Sequence, residues 1–178
     1  MYYQRAKPIR RKLSAAQWKK INRKDKETLV LQGRSHAILV YDGKTAVGWC
    51  RYGDQAESPR IDAGRNYRKV GPPAGAEKLW RITCFYVDRA YRGRGVSKIA
   101  LKAALESIKR QRGGIVEAYR VVSRKMAAVP EWRWFGTPGM FRKEGFKAVA
   151  PSERAESSCA RRFLRKGGEL TAGPRPSC

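Results

Sequence analysis

Val87-Asp-Arg-Ala-Tyr-Arg-Gly-Arg-Gly-Val-Ser-Lys-Ile-Ala-Leu101 is the stretch on which the fold turns. An apolar run at 79–87 leads into it and predicts a strand, with Trp80, Ile82, Cys84 and Tyr86 on one face and Thr83, Phe85 and Val87 on the other. Beyond it, Val96, Ile99, Ala100, Ala103, Ala104 and Ile108 recur at helical spacing, which predicts a helix to about residue 112 packed on a sheet. Gly93 and Gly95 lie between the two. Glycines let a chain turn tightly and let a ligand approach with no Cβ in the way. The free N–H groups of the first helical turn, helped by the helix dipole, then favour an anion such as a pyrophosphate. Arg92 and Arg94 add charge-assisted contacts. A P-loop would need Gly-x-x-x-x-Gly-Lys-Ser/Thr, which is absent, and a dinucleotide fingerprint would need a third glycine where Lys98 stands. On these residues alone, an ordinary basic strand-to-helix turn stays open as the alternative.

The neighbouring segments extend the unit on both sides. Gly113-Gly114 end the helix and 115–122 reads as a strand, giving β-turn-α-β. Thr137 as cap, Pro138 at the first position and Gly145 past the end mark a second, shorter helix. Residues 146–149 and 161–164 predict a closing antiparallel hairpin. Upstream, 36–41 and 45–52 flank Asp42-Gly43, the turn pair of a β-hairpin. Ser14 caps a helix running through Trp18, Ile21 and Leu29 to about Gly33. Residues 53–78, rich in Gly, Pro and charge, read as a long surface loop, a candidate flap over a site. The organisation is a basic helical segment at 1–34, one domain at 35–166, and a flexible Gly/Pro/Ser tail at 167–178.

A chain of 178 residues that is 42% hydrophobic can bury a core without disulfide or metal staples. No run approaches a membrane span, and no signal-peptide core follows Met1, so the expected setting is the cytoplasm and no membrane. Cys50, Cys84, Cys159 and Cys178 stand far apart, and His36 is the only histidine, which argues against a metal site and a His-based triad. His36 at a strand start reads as structural. Charge is the strongest compositional feature: 40 Lys+Arg against 15 Asp+Glu give +25. Such a field attracts polyanions and repels cationic substrates. It fits RNA, DNA or ribosome binding, and equally a solvated basic surface that serves a phosphate-rich cofactor.

The flanks of the glycine turn carry more information than the turn itself. Val87 to Leu101 closely resembles the acetyl-CoA motif of the GNAT (GCN5-related) N-acetyltransferase superfamily, Arg/Gln-x-x-Gly-x-Gly/Ala, on Arg92, Gly95 and Ser97. The likeness extends over roughly 35–165, including Ala46 to Cys50, Ile82 to Val87 and Gly145-Phe146. It implies an α/β fold with a mixed, mostly antiparallel sheet splayed open after the 79–87 strand. This sequence departs from it at the front, where a basic segment of about 34 residues with one helix stands for the usual strand and helix, so the opening strand is expected to be absent or rebuilt. Acetyl-CoA would lie in the V, with the backbone of Phe85, Tyr86 and Val87 pairing with the pantetheine and one N–H polarising the thioester carbonyl. Arg92, Gly93, Arg94, Gly95, Val96 and Ser97 would cradle the pyrophosphate. Direct transfer of acetyl to a deprotonated primary amine would follow, with no metal.

This sequence departs from the family where the later motif has Asn, Ala and a Tyr that protonates the thiolate. Those positions hold Trp134, Thr137 and Phe141. Glu117 and Tyr119, two apart on the 115–122 strand, are the substitute candidates: a carboxylate to accept the amine proton through water, a phenol to supply one to sulfur. Asp88 and Glu57 rank below them. Trp132 and Trp134, with Arg133 between, suit stacking on a base or an aromatic acceptor. The alternative function is a nucleic-acid- or ribosome-binding protein on this fold, either non-catalytic or acetylating an RNA-linked amine such as aminoacyl-tRNA. A homodimer is compatible with either.

Overall fold

The structure, a computed structural model, describes Gln4 and residues 12–64, 67–68, 71–73, 77–121 and 134–149, with the backbone of 157–164. Side chains of 120, 121 and 157–164 are outside this set, as are Trp132, Arg133 and the tail. Helix α1 spans Ala15–Leu31, and its capping box is complete, with Ser14 Oγ accepting from Gln17 N–H and Gln17 Oε1 accepting from Ser14 N–H. Strands β1 (His36–Asp42) and β2 (Thr45–Asp54) form the expected hairpin, but Asp42 pairs with Thr45, so its turn is Gly43-Lys44, one residue on from the Asp42-Gly43 pair. A 3₁₀ turn at Gln55–Glu57 and a short helix α2 (Pro59–Asp62) follow. Then come β3 (Leu79–Val87), α3 (Val96–Arg110), β4 (Gly114–Val121), α4 (Pro138–Lys143), β5 (Lys147–Ala148) and β6 (Ser157–Leu164).

These strands make one six-stranded sheet in the order β1-β2-β3-β4-β6-β5. Neighbours are antiparallel except β3 and β4, which are parallel and joined by α3. Their pairing runs only from Leu79↔Ile115 to Ile82↔Ala118. Past that point β3 continues to Val87 beside β2 while β4 pairs with β6, so the sheet opens between its middle strands.

The core lies between the sheet and α3. Cys50, Tyr52, Trp80, Ile82 and Phe85 pack against Ala100, Leu101, Ala104 and Ile108. The Tyr52 hydroxyl and Ser107 Oγ, 2.6 Å apart, tie the two layers. The buried face of α3 is Val96, Ala100, Leu101, Ala104, Leu105 and Ile108. Ile99, expected on this stripe, is 55% exposed. Four-residue steps from Val96 carry the buried line, and the leucines widen it on the side away from Ile99.

Strand β3 departs from strict alternation. Arg51 pairs with Cys84 but Tyr52 pairs with Ile82, so Thr83 is an extra residue in a bulge. The bulge resets the parity: Phe85 joins Trp80 and Ile82 in the core, and Cys84 and Tyr86 turn to the opposite face. The segment after β2 also differs from a surface loop. Glu57, Ser58, Ile61 and Tyr67 are buried. The cause is the pair of arginines that face away from α3. Arg51 donates to Ser58 Oγ and Thr83 Oγ1, both at 2.9 Å, and to Glu57 O at 2.8 Å. Arg81 donates to Asp62 Oδ2 and Ser58 O, both at 3.1 Å. Two buried guanidinium groups need acceptors, and this segment supplies them.

Candidate active site

The opening of the sheet leads into a cleft of about 570 Å³. Phe85, Tyr86 and Val87 of β3 form one wall, residues 91–93 and 95–98 the floor, and 135–137 with Gly139, Met140 and Lys143 the opposite wall. The floor is the glycine turn. Gly93 and Gly95 have φ of +78° and +81°, the left-handed region where glycine carries no steric cost. A Cβ at either would meet nothing within 4 Å, so the space above the turn is clear. Gly95 is the N-cap of α3, and its carbonyl accepts from Lys98 and Ile99 N–H at 2.9 and 3.1 Å. The N–H groups of Val96 and Ser97 in the first turn thus have no intrahelical acceptor. Three cations, Arg92, Lys98 and Lys143, line the same cleft. Arg92 Nε donates to Val87 O at 3.3 Å, and the Arg94 guanidinium lies 5.4 Å from the centre of the Tyr91 ring. The Tyr91 hydroxyl in turn donates to Asp42 at 2.8 Å, and Asp88 caps a second 3₁₀ turn, Arg89–Tyr91, through Ala90 N–H at 2.9 Å. Free amides at a helix N-terminus, a Cβ-free surface and convergent cations suit a pyrophosphate.

On the β3 wall, Phe85 and Val87 turn their backbone groups toward the opening. Phe85 N–H is already engaged: it donates to Trp134 O at 2.7 Å. The segment before α4 therefore crosses the mouth of the V and uses one amide of the expected added-strand pairing. Phe141 from α4 is 1% exposed and packs between Phe85 and Phe146, at ring distances of 6.1 and 5.2 Å. It supports the wall and carries no proton to give.

Glu117 and Tyr119 share a face of β4, but neither lines the cleft. Glu117 is 0% exposed. It accepts from Tyr67 OH at 2.9 and 3.1 Å and from Tyr119 OH at 3.0 Å, and stands 3.5 Å from Arg81 Nε. Burial first, then the charge of Glu117 against the opposing pull of Arg81, pushes the Tyr67 phenol up to about 12, which keeps it a donor at neutral pH. Tyr119 is half-buried and sits one residue past Ala118, where β3 and β4 part. Water reaches Glu117 only past such neighbours, so the expected direct water-mediated contact with an amine is not what this arrangement offers. Sequence reading missed Arg81 and Tyr67, because nothing local to either signals a partner 36 or 50 residues away.

A second polar group sits on the same face of the sheet. His36 Nδ1 bonds to the Glu57 carboxylate, which also accepts from His36 N–H at 3.1 Å. Glu57 thus serves as an anchor for β1, in agreement with a structural His36. Cys84, beside Phe85, is a half-buried thiol that burial pushes up to about 11 against the pull of Arg51 and Lys26. It is a thiol at neutral pH and a poor nucleophile. Trp134 is 54% exposed at the cleft mouth, and Trp132 falls outside the described residues. Among the described residues, no three His, Cys, Asp or Glu side chains cluster as metal ligands, and no helix is long and apolar enough to cross a membrane.

The profile of the acetyltransferase (GNAT) family matches residues 3–136. No curated protein matches the chain. Among solved structures, the fold is similar to a protein from Desulfovibrio desulfuricans assigned to the acetyltransferases of the GNAT family, with a TM-score of 0.51 at 14% identity over 85% of this chain and 83% of that one. It is similar also to an acetyltransferase from Thermus thermophilus, with a TM-score of 0.50 at 16% identity over 79% and 71%. A third similar structure is a Salmonella typhimurium protein assigned as an acetyltransferase and solved with its cofactor acetyl-CoA. Its TM-score is 0.50 at 14% identity, over 88% of this chain and 78% of that one.

Proposed function

Because the chain belongs to the GNAT acetyltransferase family, we propose that it binds acetyl-CoA in the cleft between β3 and α4 and moves the acetyl group directly to a primary amine. The observation that carries this reading is the splayed sheet with a Cβ-free turn and an α-helix N-terminus at its floor. The residues present fit the cofactor. Val96 and Ser97 N–H would hold the pyrophosphate, with Gly93 and Gly95 giving it room and Arg92, Arg94 and Lys98 balancing its charge. Phe85, Tyr86 and Val87 would pair with the pantetheine, and Phe85 N–H would exchange Trp134 O for the thioester oxygen. Acetyl-CoA supplies the activated acetyl group as a thioester.

The chain's own residues then position and handle protons. Tyr119, one residue past the point where β3 and β4 part, would supply a proton to the leaving sulfur through a bridging water, since its side chain does not itself line the cleft, and the amine proton would pass to solvent. Glu117, 3.0 Å away, accepts from the phenol and fixes its orientation. Arg81 and Tyr67 fix Glu117 in turn. With Phe141 lacking a hydroxyl, the rest of the acceleration comes from holding amine and thioester together.

Thiol release on turnover tests this reading. With acetyl-CoA and a panel of amines that includes lysine peptides and charged tRNA, at least one acceptor should release free CoA in proportion to acetylated product. Cofactor binding with no turnover on any acceptor would favour the non-catalytic, nucleic-acid-binding alternative instead.

A further inference from the structure

The sheet has two faces, and α3 covers one of them. Ile38 and Val40 of β1 pack toward that core, as do Cys50 and Phe85. Leu39, Trp49 and Tyr86 lie on the other face, in register across three strands: Leu39 is opposite Trp49, and Trp49 opposite Tyr86. Tyr41, two residues along β1 from Leu39 and past a register shift between Val40 and Tyr41, stands beside the row at its hairpin end. Leu39 is 53% exposed, Tyr41 56% and Tyr86 47%, with Trp49 half-buried between them. Apolar and aromatic side chains standing in line on an open sheet are costly to leave in water and call for an occupant.

Three observations identify its chemistry. The row ends at Tyr86, a residue of the cleft wall, so whatever lies on it reaches the acetyl-transfer site. The flanks are cationic. Helix α1 lies on this same face, since Lys26 is half-buried there within the field of Arg51 and Cys84. It presents Lys19, Lys20, Arg23 and Lys24 to solvent, while Lys44 is exposed at the hairpin turn beside Tyr41. Asp42 at that end is committed to the Tyr91 hydroxyl. Finally, the whole chain carries +25. The rings of Tyr41, Trp49 and Tyr86, with Leu39 among them and cations alongside, match bases stacked along a strand whose phosphates run outside them. An acidic peptide would use the cations but leave the rings without a purpose.

We propose that Tyr41, Leu39, Trp49 and Tyr86 form a stacking platform for single-stranded nucleic acid, which brings an amine carried at the strand's end to the cleft. This rests on the acetyltransferase reading and names the class of acceptor for it. The two can fail separately.

The test is fluorescence anisotropy on the full chain. The probes are a labelled single-stranded uridine oligonucleotide of about 12 nucleotides, within the span of known single-strand sites, and a duplex of equal length. The single strand should bind more tightly than the duplex, with affinity falling by orders of magnitude between roughly 50 and 200 mM salt. Tyr41→Ser should weaken the single strand by about 5- to 150-fold, the worth of one stacked base, and leave the salt slope and the duplex unchanged. Tyr41→Phe, which keeps the ring, should bind like the parent. Equal binding of single strand and duplex, or no loss in Tyr41→Ser, would overturn the platform. So would displacement of the strand by polyglutamate that is as sensitive to Tyr41→Ser as the strand itself, since the occupant would then be an acidic chain. The thermal shift given by acetyl-CoA, measured on the same samples, reports on the cofactor reading alone. Strand binding without that shift sinks the cofactor reading, and the shift without platform-dependent binding sinks the platform.

Discussion

Gly95→Asp should abolish the stabilisation that acetyl-CoA gives the parent protein. A ligand that binds only the folded state, at a hundredfold excess over its Kd, stabilises by about 2.7 kcal/mol. For a chain of this size that is a rise in Tm of roughly 5–11 °C. Gly95 stands at the left-handed N-cap of α3 with open space above it, so an added side chain projects into the cleft rather than into the protein. There a carboxylate faces the place assigned to the pyrophosphate, at the positive end of a helix dipole, and competes for the same amides. Backbone strain is the competing explanation. Gly95→Asn separates the two, because Asn accepts the left-handed region about as well as Asp and carries no charge. Asn should keep part of the shift and Asp none. Equal shifts in both variants would remove the pyrophosphate from this turn.

Changes at Glu117 should produce the other large effect, on two separate readouts. Glu117 and Arg81 are both 0% exposed, and removing one member of a buried pair leaves an uncompensated charge. Such losses cost about 3–5 kcal/mol. Asp62 still holds Arg81, so the lower end applies, and Glu117→Gln should lower Tm by roughly 6–12 °C. Measured well below that Tm, turnover should fall by roughly 10²–10⁴-fold, the usual worth of acid–base catalysis. The acetyl-CoA shift should persist. A defect that comes from a misplaced proton donor should persist as pH rises and the acceptor amine becomes neutral, whereas the loss of a base would be rescued. Tyr119→Phe, which removes the phenol that Glu117 holds, should lose at least as much turnover, with little change in Tm. A Glu117→Gln variant that is destabilised yet turns over like the parent at every pH would leave Glu117 with a purely structural role.

Much of this architecture is legible in the sequence because its signals are local. The strand, glycine turn and helix around Val87 to Leu101 follow from spacing and from residues that each specify a backbone state. The β1–β2 hairpin, the Ser14 cap and the Thr137-Pro138 helix start are legible for the same reason. Sequence and structure part where one residue alters a period. The bulge at Thr83 inverts the two faces of β3 beyond it, placing Phe85 in the core and Cys84 outside it, and no composition rule marks that position. Ile99 misleads because hydrophobicity alone does not distinguish two neighbouring lines of a helix face.

Partnerships across the chain are not legible at all. Arg51 and Arg81 look like solvated strand charges in a basic sequence, yet they organise residues 55–62 and the Glu117 cluster beneath the sheet. The bond from Phe85 N–H to Trp134 O likewise joins residues 49 apart in sequence. The stacking row is a middle case. Each side chain is visible in the sequence, but only the strand register puts Leu39, Trp49 and Tyr86 in one line.

Amide hydrogen exchange with and without acetyl-CoA tests most directly whether the splayed sheet and its glycine turn are the cofactor site. The expected result is slowed exchange at Gly93 to Ser97 and at Val87, with the amides of β1 unchanged. Unchanged exchange at Gly93 to Ser97 under saturating acetyl-CoA, or protection confined to the opposite face of the sheet, would contradict it.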